Sequence, residues 1–332
     1  MNKAEPEKMD LTVIVCTHNR CDSLAKTLHS IALSRMPHPV EWEVLVVDNN
    51  SNDHTRELVA EFCEQYPGRF RYLFERQPGL SCARNAGILE ARGTVVVFTD
   101  DDVIVDSMWL QNLTANMLEH EWAGVGGRVL PVWECSPPAW LKAGQWYTLG
   151  PLPNFDFGPH ACELTRPPFG ANMGFRRAMF EKYGYFRTDL GRRPNSLMSN
   201  EDTEFAGRLL AAGERLRYEP SAIVHHPVQK DRMEKQYFLA WWFHKGQANI
   251  REFGIQPGTR YSILAIPLYL FRNLAVRILK WVFSVNPVTR FSNKLRVWSK
   301  AGEILECLRN PTASKKMQDC NATTRWIGAA KS

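Results

Sequence analysis

Four short apolar runs, each followed by a stretch with helical spacing, constrain this chain more than any other feature. Leu11–Cys16 (LTVIVC) precedes helical spacing over Asp22–Leu33, and Glu43–Val47 (EVLVV) precedes a helix over Thr55–Tyr66. Phe70–Phe74 leads into Ser81–Ala91, and Val95–Thr99 into a helix around Trp109–Leu118. Strands that are apolar on both faces must be covered on both faces, and strands alternating with helices run parallel. The expected fold is therefore α/β, a doubly wound and mostly parallel sheet. Such sheets bind ligands at the carboxyl ends of their strands.

Beyond residue 130 the rhythm changes. Residues 131–169 are rich in proline and aromatics (PVWECSPPAW, GPLPNFDFGP), the composition of an irregular loop or lid. Helices are expected at Arg177–Tyr183 and Asp202–Ala212, with a short strand at Ala222–His225 between the second of them and an aromatic stretch, Tyr237–Phe243 (YFLAWWF). Tyr261–Val285 alternates long apolar stretches with Arg272, Arg277 and Lys280. On a helix those cations and Asn273 share one arc, while Leu270, Leu274, Ile278, Trp281 and Val282 fill another. A spanning helix needs about 20 mostly apolar residues, so the charges argue against one. A basic amphipathic helix in the membrane interface is expected over Arg272–Val285. For Tyr261–Phe271, packing on the catalytic domain and contact with a membrane stand level.

Composition narrows the class. The chain has 332 residues, 44% hydrophobic and 23% charged, enough to build a large core and too apolar for disorder. A net charge of +6 suits an anionic membrane, a phosphorylated substrate or nucleic acid alike. The basic residues are interspersed with acidic ones across the domain, which disfavours nucleic acid. Eight cysteines include no CxxC pair, so neither a zinc ribbon nor a disulfide framework is expected. Leu11–Cys16 is too short for a signal-peptide core, and a cytosolic protein is expected.

The strongest chemical signal is Asp100-Asp101-Asp102, directly after the fourth apolar run. Adjacent carboxylates repel, so a fold that gathers them needs a compensating cation. Hard oxygen ligands select Mg²⁺ or Mn²⁺, usually shared with substrate phosphates. The bland reading is an acidic turn with Asp as a helix cap. Three in a row at the ligand edge favour metal. Asp48 ends the second run in VVDNNSNDHT, where Asp53 could cap the next helix, and Thr17-His18-Asn19-Arg20 closes the first. Both fall at that same edge, where His18 suits contact with a base. Arg84 and Asn85 open the third helix, either on its solvated face or with Arg84 reaching a phosphate or base. Glu201-Asp202 starts another helix. Acidic residues favour a helix N-terminus in any case, but Asp202 could also serve as a general base. His225-His226 ends a strand, packed against aromatics or completing a metal site.

Taken together, VIVCTHNR, VVDNNSNDHT, GLSCARNAG, FTDDD, GANMGFRR and NEDTEFAGRL resemble, in that order, the motifs of glycosyltransferase family 2, the inverting family with the GT-A fold. The resemblance runs from about Leu11 to Gly254. It implies a GT-A domain over 11–229, with a nucleotide-binding half (11–130) and an acceptor and catalytic half (131–229). A helical, membrane-associated extension would occupy 230–310, with tails at 1–10 and 311–332. It also implies roles. Thr17, His18 and Asp48 would hold the nucleotide base, Arg84 would assist, and Asp100 and Asp101 would contact the ribose. Asn172, in GANMGFRR, would lie beneath the donor sugar. Asp102 would bind the Mg²⁺ or Mn²⁺ that bridges the diphosphate, and Asp202 would be the base. His226, counted from Pro220, would complete the metal site, with His225 as the alternative.

The implied activity is inverting, metal-dependent transfer from a nucleotide-sugar donor to the hydroxyl of a saccharide or lipid-linked acceptor. Surface polysaccharide or glycolipid synthesis would be its setting, and the inner face of the cell membrane its place, as a peripheral protein. No QxxRW occurs, which implies addition of one sugar at a time. His18 replaces the tyrosine of many members. Two rivals remain: a sugar nucleotidyltransferase, and an inactive membrane-bound scaffold of the same fold. A dinucleotide dehydrogenase is disfavoured, because CTHNR carries no glycine where GxGxxG would follow the first strand.

Overall fold

A computed structural model describes residues 9–36, 40–141, 145–255, 262–263 and 266–310. Residues 1–8 and 311–332 of the expected tails, 142–144 of the expected loop, and Tyr261, Leu264 and Ala265 of the Tyr261–Phe271 stretch lie outside it. The chain divides into two compact units. One comprises Met1–Val132, Pro153–Thr188 and Glu201–Pro227; the other comprises Trp133–Leu152, Asp189–Asn200 and Val228–Ser332.

The first unit is the α/β plan expected from the apolar runs. Strand β1 (Met9–Thr17) leads to helix α1 (Cys21–Ala32), β2 (Trp42–Asp48) to α2 (Thr55–Gln65), and β3 (Phe70–Phe74) to α3 (Leu80–Glu90). Then come β4 (Gly93–Asp100), β5 (Ile104–Val105), α4 (Trp109–Glu119), β6 (Gly124–Trp133), β7 (Cys162–Leu164), β8 (Asn172–Arg176), α5 (Arg177–Tyr183), α6 (Glu201–Ala211) and β9 (Leu216–Val228). The sheet order is β3-β2-β1-β4-β8-β6-β9-β5, with β7 also on β9. Pairing is parallel from β3 through β4, and β8 continues the sheet antiparallel.

The two-faced strands pack as their composition requires. Val13, Val15, Val44, Val46, Val95 and Val97 meet Leu24 and Leu28 of α1 and Trp109 and Leu113 of α4 on one side. Ile14, Leu45, Val47, Val96 and Phe98 meet Ile88 of α3 and Phe180 and Phe205 on the other. Phe180 and Phe205 stack with ring centroids 4.2 Å apart. Glu43, a charged residue fully buried in β2, accepts hydrogen bonds from Thr12 Oγ1 (2.9 Å) and Arg71 Nη1 (2.8 Å). A buried charge persists only with such partners.

Asp53 joins the starts of two helices. Its Oδ2 accepts the Cys21 N–H at the head of α1, and its Oδ1 accepts the Thr55 N–H and hydroxyl at the head of α2. These are groups a helix cannot satisfy internally. Burial opposes ionisation of Asp53, but the hydrogen bonds from Thr55 and Cys21 outweigh it and hold its pKa below the ordinary carboxyl value. Asp53→Ala should cost about 1–2 kcal/mol at neutral pH. The folded pKa lies below the unfolded one, so this stabilisation is present above roughly pH 4 and is lost as pH falls through the folded value. Urea denaturation of both proteins at neutral pH and in acid checks this: the difference in stability should shrink in acid.

Strands β5 to β8 lie outside the strands expected from the sequence. β6 carries Gly124, Gly126 and Gly127, which break an apolar pattern, and Pro131 near its end. The glycines are there because neighbours press close. A Cβ on Gly127 would lie 2.3 Å from Asn172 Nδ2 and 2.5 Å from the Ala222 carbonyl. β8 is only five residues long, and the expected irregular stretch at 131–169 contains β7 and the end of β6. β9 runs from Leu216 to Val228, well past the expected Ala222–His225, with Leu216, Tyr218, Pro220, Ala222 and Val224 all buried along it.

The second unit holds α7 (Lys235–Phe253), α8 (Leu268–Val282) and α9 (Pro287–Arg309). Its core gathers Tyr147, Leu152, Phe238 and Leu295, with Trp140 and Phe291 packed against it. α7 and α9 touch at glycines: a Cβ on Gly246 would lie 2.0 Å from the Ser299 carbonyl oxygen, and one on Gly302 equally close to that of Phe243. In α8 the expected apolar arc divides. Leu270 is fully buried, and Leu274 and Trp281 are half-buried, with Trp281 6.0 Å from Trp298 of α9. Ile278 and Val282 of that arc are exposed instead.

Candidate active site

The site begins with register. Thr17 of β1 pairs with Asp48 of β2, and Cys16 pairs with Asp100 of β4, so three strand ends stop at one level. The loops that follow brace one another. His18 Nδ1 donates to the Asn49 carbonyl (2.9 Å), which leaves Nε2 to accept from Asn19 Nδ2 (3.2 Å). Asn19 and Asn50 take left-handed backbone (φ 52° and 66°), a conformation asparagine tolerates better than most residues. Asp48 is buried, accepting from the Ser51 N–H (2.8 Å) and the Tyr72 hydroxyl (2.8 Å). Burial and that bond to Asp48 push the Tyr72 hydroxyl up to about 12.

Ile104 of β5 pairs with His225 of β9, which carries the next residue, His226, to the acidic triplet. Successive residues of a strand face opposite ways. His225 accordingly lies half-exposed and meets Asp106 (Nε2 to Oδ1, 2.9 Å). His226 is 3% exposed, with Nε2 3.4 Å from Asp102 Oδ1 and 3.8 Å from Asp100 Oδ2. Asp100, Asp102 and His226 each offer a ligand atom, all within 4.8 Å of one another. His226 Nδ1–H donates to the Pro227 carbonyl (3.1 Å), and Nε2 faces the two carboxylates. In that orientation Nε2 can serve as a metal ligand, with the ring held through its second nitrogen as in metal-binding histidines generally. Two hard carboxylates and one imidazole fit Mg²⁺ or Mn²⁺.

The triplet itself splits. Asp101 is buried and turns to Arg20, whose Nη1 donates to Asp101 Oδ1 (3.1 Å) and Asp102 Oδ2 (2.9 Å). Burial pushes the Asp101 carboxyl up to about 6; Arg20 pulls it down and Asp102 adds repulsion. Burial also opposes the charge on Arg20, but Asp101 and Asp102 prevail and raise its pKa. Part of the cation that the triplet demands is thus supplied by the chain. Arg20 stands in THNR, where the sequence assigns roles to Thr17 and His18 alone. The signal was the triplet's own charge, which calls for a basic partner at the same edge.

Two residues expected to touch the donor, Arg84 and Asn172, are buried and hydrogen-bonded to protein partners. Arg84 is 3% exposed, and its guanidinium pairs with Glu201 (2.8 Å) and approaches Asp100 (3.7 Å). Burial opposes its charge, and Glu201, Asp100 and Asp202 outweigh that burial. Asn172 is fully buried; its amide accepts from Trp109 Nε1 (2.8 Å) and donates to the carbonyls of Arg128 and Ala222 (2.9 Å each). It ties β8 to β6 and β9. Asp202 opens α6, where its Oδ2 accepts the Gly170 N–H (2.9 Å) and its Oδ1 the Thr203 N–H (2.7 Å). Among the described residues, Arg20 pairs with Asp101 and Asp102, and Arg84 with Glu201 and Asp100.

Gly170 lets these groups meet. A Cβ there would lie 2.7 Å from Asp202 Oδ2 and 2.9 Å from Arg84 Nη2. Gly170→Ala should displace both side chains, and a shift approaching 1 Å costs up to about 10²-fold in turnover. Steady-state kinetics beside a melting curve checks this: kcat should fall much further than stability.

Comparison with known proteins shows the family and the fold. The profile of Glycosyl transferase family 2 matches residues 12–184. The chain is 28% identical to the succinoglycan biosynthesis protein ExoM of Rhizobium meliloti over 74% of its own length and 75% of that protein's. It is also 28% identical to the glucosyl-dolichyl phosphate glucuronosyltransferase of Haloferax volcanii, over 70% and 75% respectively. In fold it is similar to the mannosyltransferase PcManGT from Pyrobaculum calidifontis, solved with GDP-Man and Mn²⁺. That match has a TM-score of 0.55 at 19% identity, covering 94% of this chain and 88% of that one.

Proposed function

Because this chain belongs to glycosyltransferase family 2, we propose that it catalyses inverting, metal-dependent transfer of one sugar from a nucleotide-sugar donor to an acceptor hydroxyl. The observation that carries this reading is the convergence of Asp100, Asp102 and His226 at the strand ends, beside Asp48 and His18. Thr17, His18 and Asp48 form the base end of the donor site. Asp102 and His226, with Asp100 beside them, would hold Mg²⁺ or Mn²⁺. Such an ion supplies positive charge against the diphosphate that leaves.

Asp202 acts as general base. Its two backbone hydrogen bonds fix the carboxylate, which takes the proton from the acceptor hydroxyl as that oxygen bonds to the anomeric carbon. The bond to the diphosphate oxygen breaks in the same step, on the opposite face, and the configuration inverts. Arg84 holds Glu201 and Asp100 from beneath, so the base and the acidic cluster keep a fixed relation. Arg20 steadies Asp101 and Asp102, and Asn172 supports the floor on which the donor sugar lies.

The acceptor is a saccharide or lipid-linked sugar, and the enzyme works as a peripheral protein at the inner membrane face. The names of the two relatives, one in succinoglycan synthesis and one acting on a dolichyl phosphate sugar, support this. No helix among the described residues is long and apolar enough to cross a membrane. Incubation with UDP-, GDP- and dTDP-sugars tests the reaction. Release of a nucleoside diphosphate that stops in EDTA is the expected outcome. Release of pyrophosphate from a nucleoside triphosphate and a sugar 1-phosphate, supplied in place of the nucleotide sugar, would instead identify a nucleotidyltransferase.

A further inference from the structure

Helix α8 has the wrong face outward for a helix that meets only water and protein. Leu270 is buried, and the hairpin to α9 is pinned by Asn293 Nδ2, which donates to the Lys280 carbonyl (3.2 Å) and the Ser284 hydroxyl (2.9 Å). On the far side Leu268, Phe271, Ile278, Leu279, Val282 and Phe283 form one arc, all exposed, with Leu279 at 56% and Phe283 at 76%. Scattered exposed apolar residues are ordinary, but a contiguous face of this kind marks an interaction site.

Charge selects the partner. Between Phe253 and Gly302 the sequence holds eight lysines and arginines and no aspartate or glutamate, in a chain with 35 acidic residues overall. Arg272 and Lys280 are exposed on α8, and Arg277 is half-exposed on its flank. Two copies of this segment face to face would repel. An anionic surface would not. At 15 residues the helix is about 22 Å long, which suits lying in an interface and not crossing it.

We propose that the outward face of α8 is a lipid-docking surface. Its apolar arc enters the acyl boundary of an anionic bilayer, and Arg272, Arg277 and Lys280 pair with headgroup phosphates. The proposal rests on the reading of a membrane-face enzyme only for the partner's class. Its test records binding without turnover, so failure here leaves the transfer reaction untouched, and failure of the reaction leaves the docking untouched.

The experiment is co-sedimentation of the full chain with vesicles of phosphatidylcholine alone and of phosphatidylcholine mixed with phosphatidylglycerol. Binding should require phosphatidylglycerol and weaken in high salt. The triple variant Arg272→Gln, Arg277→Gln, Lys280→Gln should lose on the order of a hundredfold in partition. Leu279→Ser with Phe283→Ser should also weaken binding. Both residues are exposed, so melting temperature should hold. Equal sedimentation of all variants, or no preference for the anionic vesicles, would overturn the proposal. So would a concentration-dependent dimer of the wild type, without vesicle binding, that the Leu279→Ser, Phe283→Ser protein fails to form: a second copy would then be what covers the face.

Discussion

Asp202→Asn should bind the sugar nucleotide nearly as well as the wild type and turn it over about 10²–10⁴-fold more slowly. The side chain keeps its size and loses the basic oxygen. One amide oxygen can still accept the Gly170 N–H, but the other oxygen, which accepts the Thr203 N–H, becomes an NH₂ group. A loss of about 1 kcal/mol in stability is therefore expected as well, small beside the kinetic effect. Donor affinity by calorimetry, next to single-turnover rates, separates the two. If affinity collapses together with the rate, Asp202 belongs to the donor site and is not the base.

Asp102→Ala should lower turnover by about 10³-fold, since charge compensation at a leaving group is worth several kcal/mol. The fold should hold. Asp102 shares Arg20 with Asp101, so that guanidinium keeps one partner, and removing one of three adjacent carboxylates relieves repulsion. Calorimetric titration with Mn²⁺ checks the cause: the variant should lose the tight site and melt close to the wild type. Unchanged Mn²⁺ affinity would move the site away from Asp102.

The parallel half of the sheet was legible because its strands are apolar on both faces. Val13, Ile14 and Val15 must be covered from two sides, and few folds do that. β6 and β8 were not legible, because what places them is close approach of backbone: the glycines of β6 make room for Asn172. The candidate site divides in the same way. Asp48, Asp100 and Asp102 announce themselves as carboxylates after apolar runs. Which histidine faces them depends on the pairing of Ile104 with His225, and no local pattern discloses a pairing. Arg20 and Glu201 were passed over for a related reason. Their roles consist of partners 81 and 117 residues away.

In the proposed reaction, donor binding depends on the Asp100, Asp102 and His226 cluster holding a divalent ion. The most direct measurement is the melting temperature of wild type and Asp102→Ala with UDP-, GDP- and dTDP-sugars, each in Mn²⁺ and in EDTA. A donor at about a hundred times its Kd stabilises the fold by about 2.7 kcal/mol, a rise of a few degrees. One nucleotide class should give that rise in the wild type with Mn²⁺, and neither EDTA nor Asp102→Ala should preserve it. An equal rise in EDTA, or in Asp102→Ala, would contradict the account.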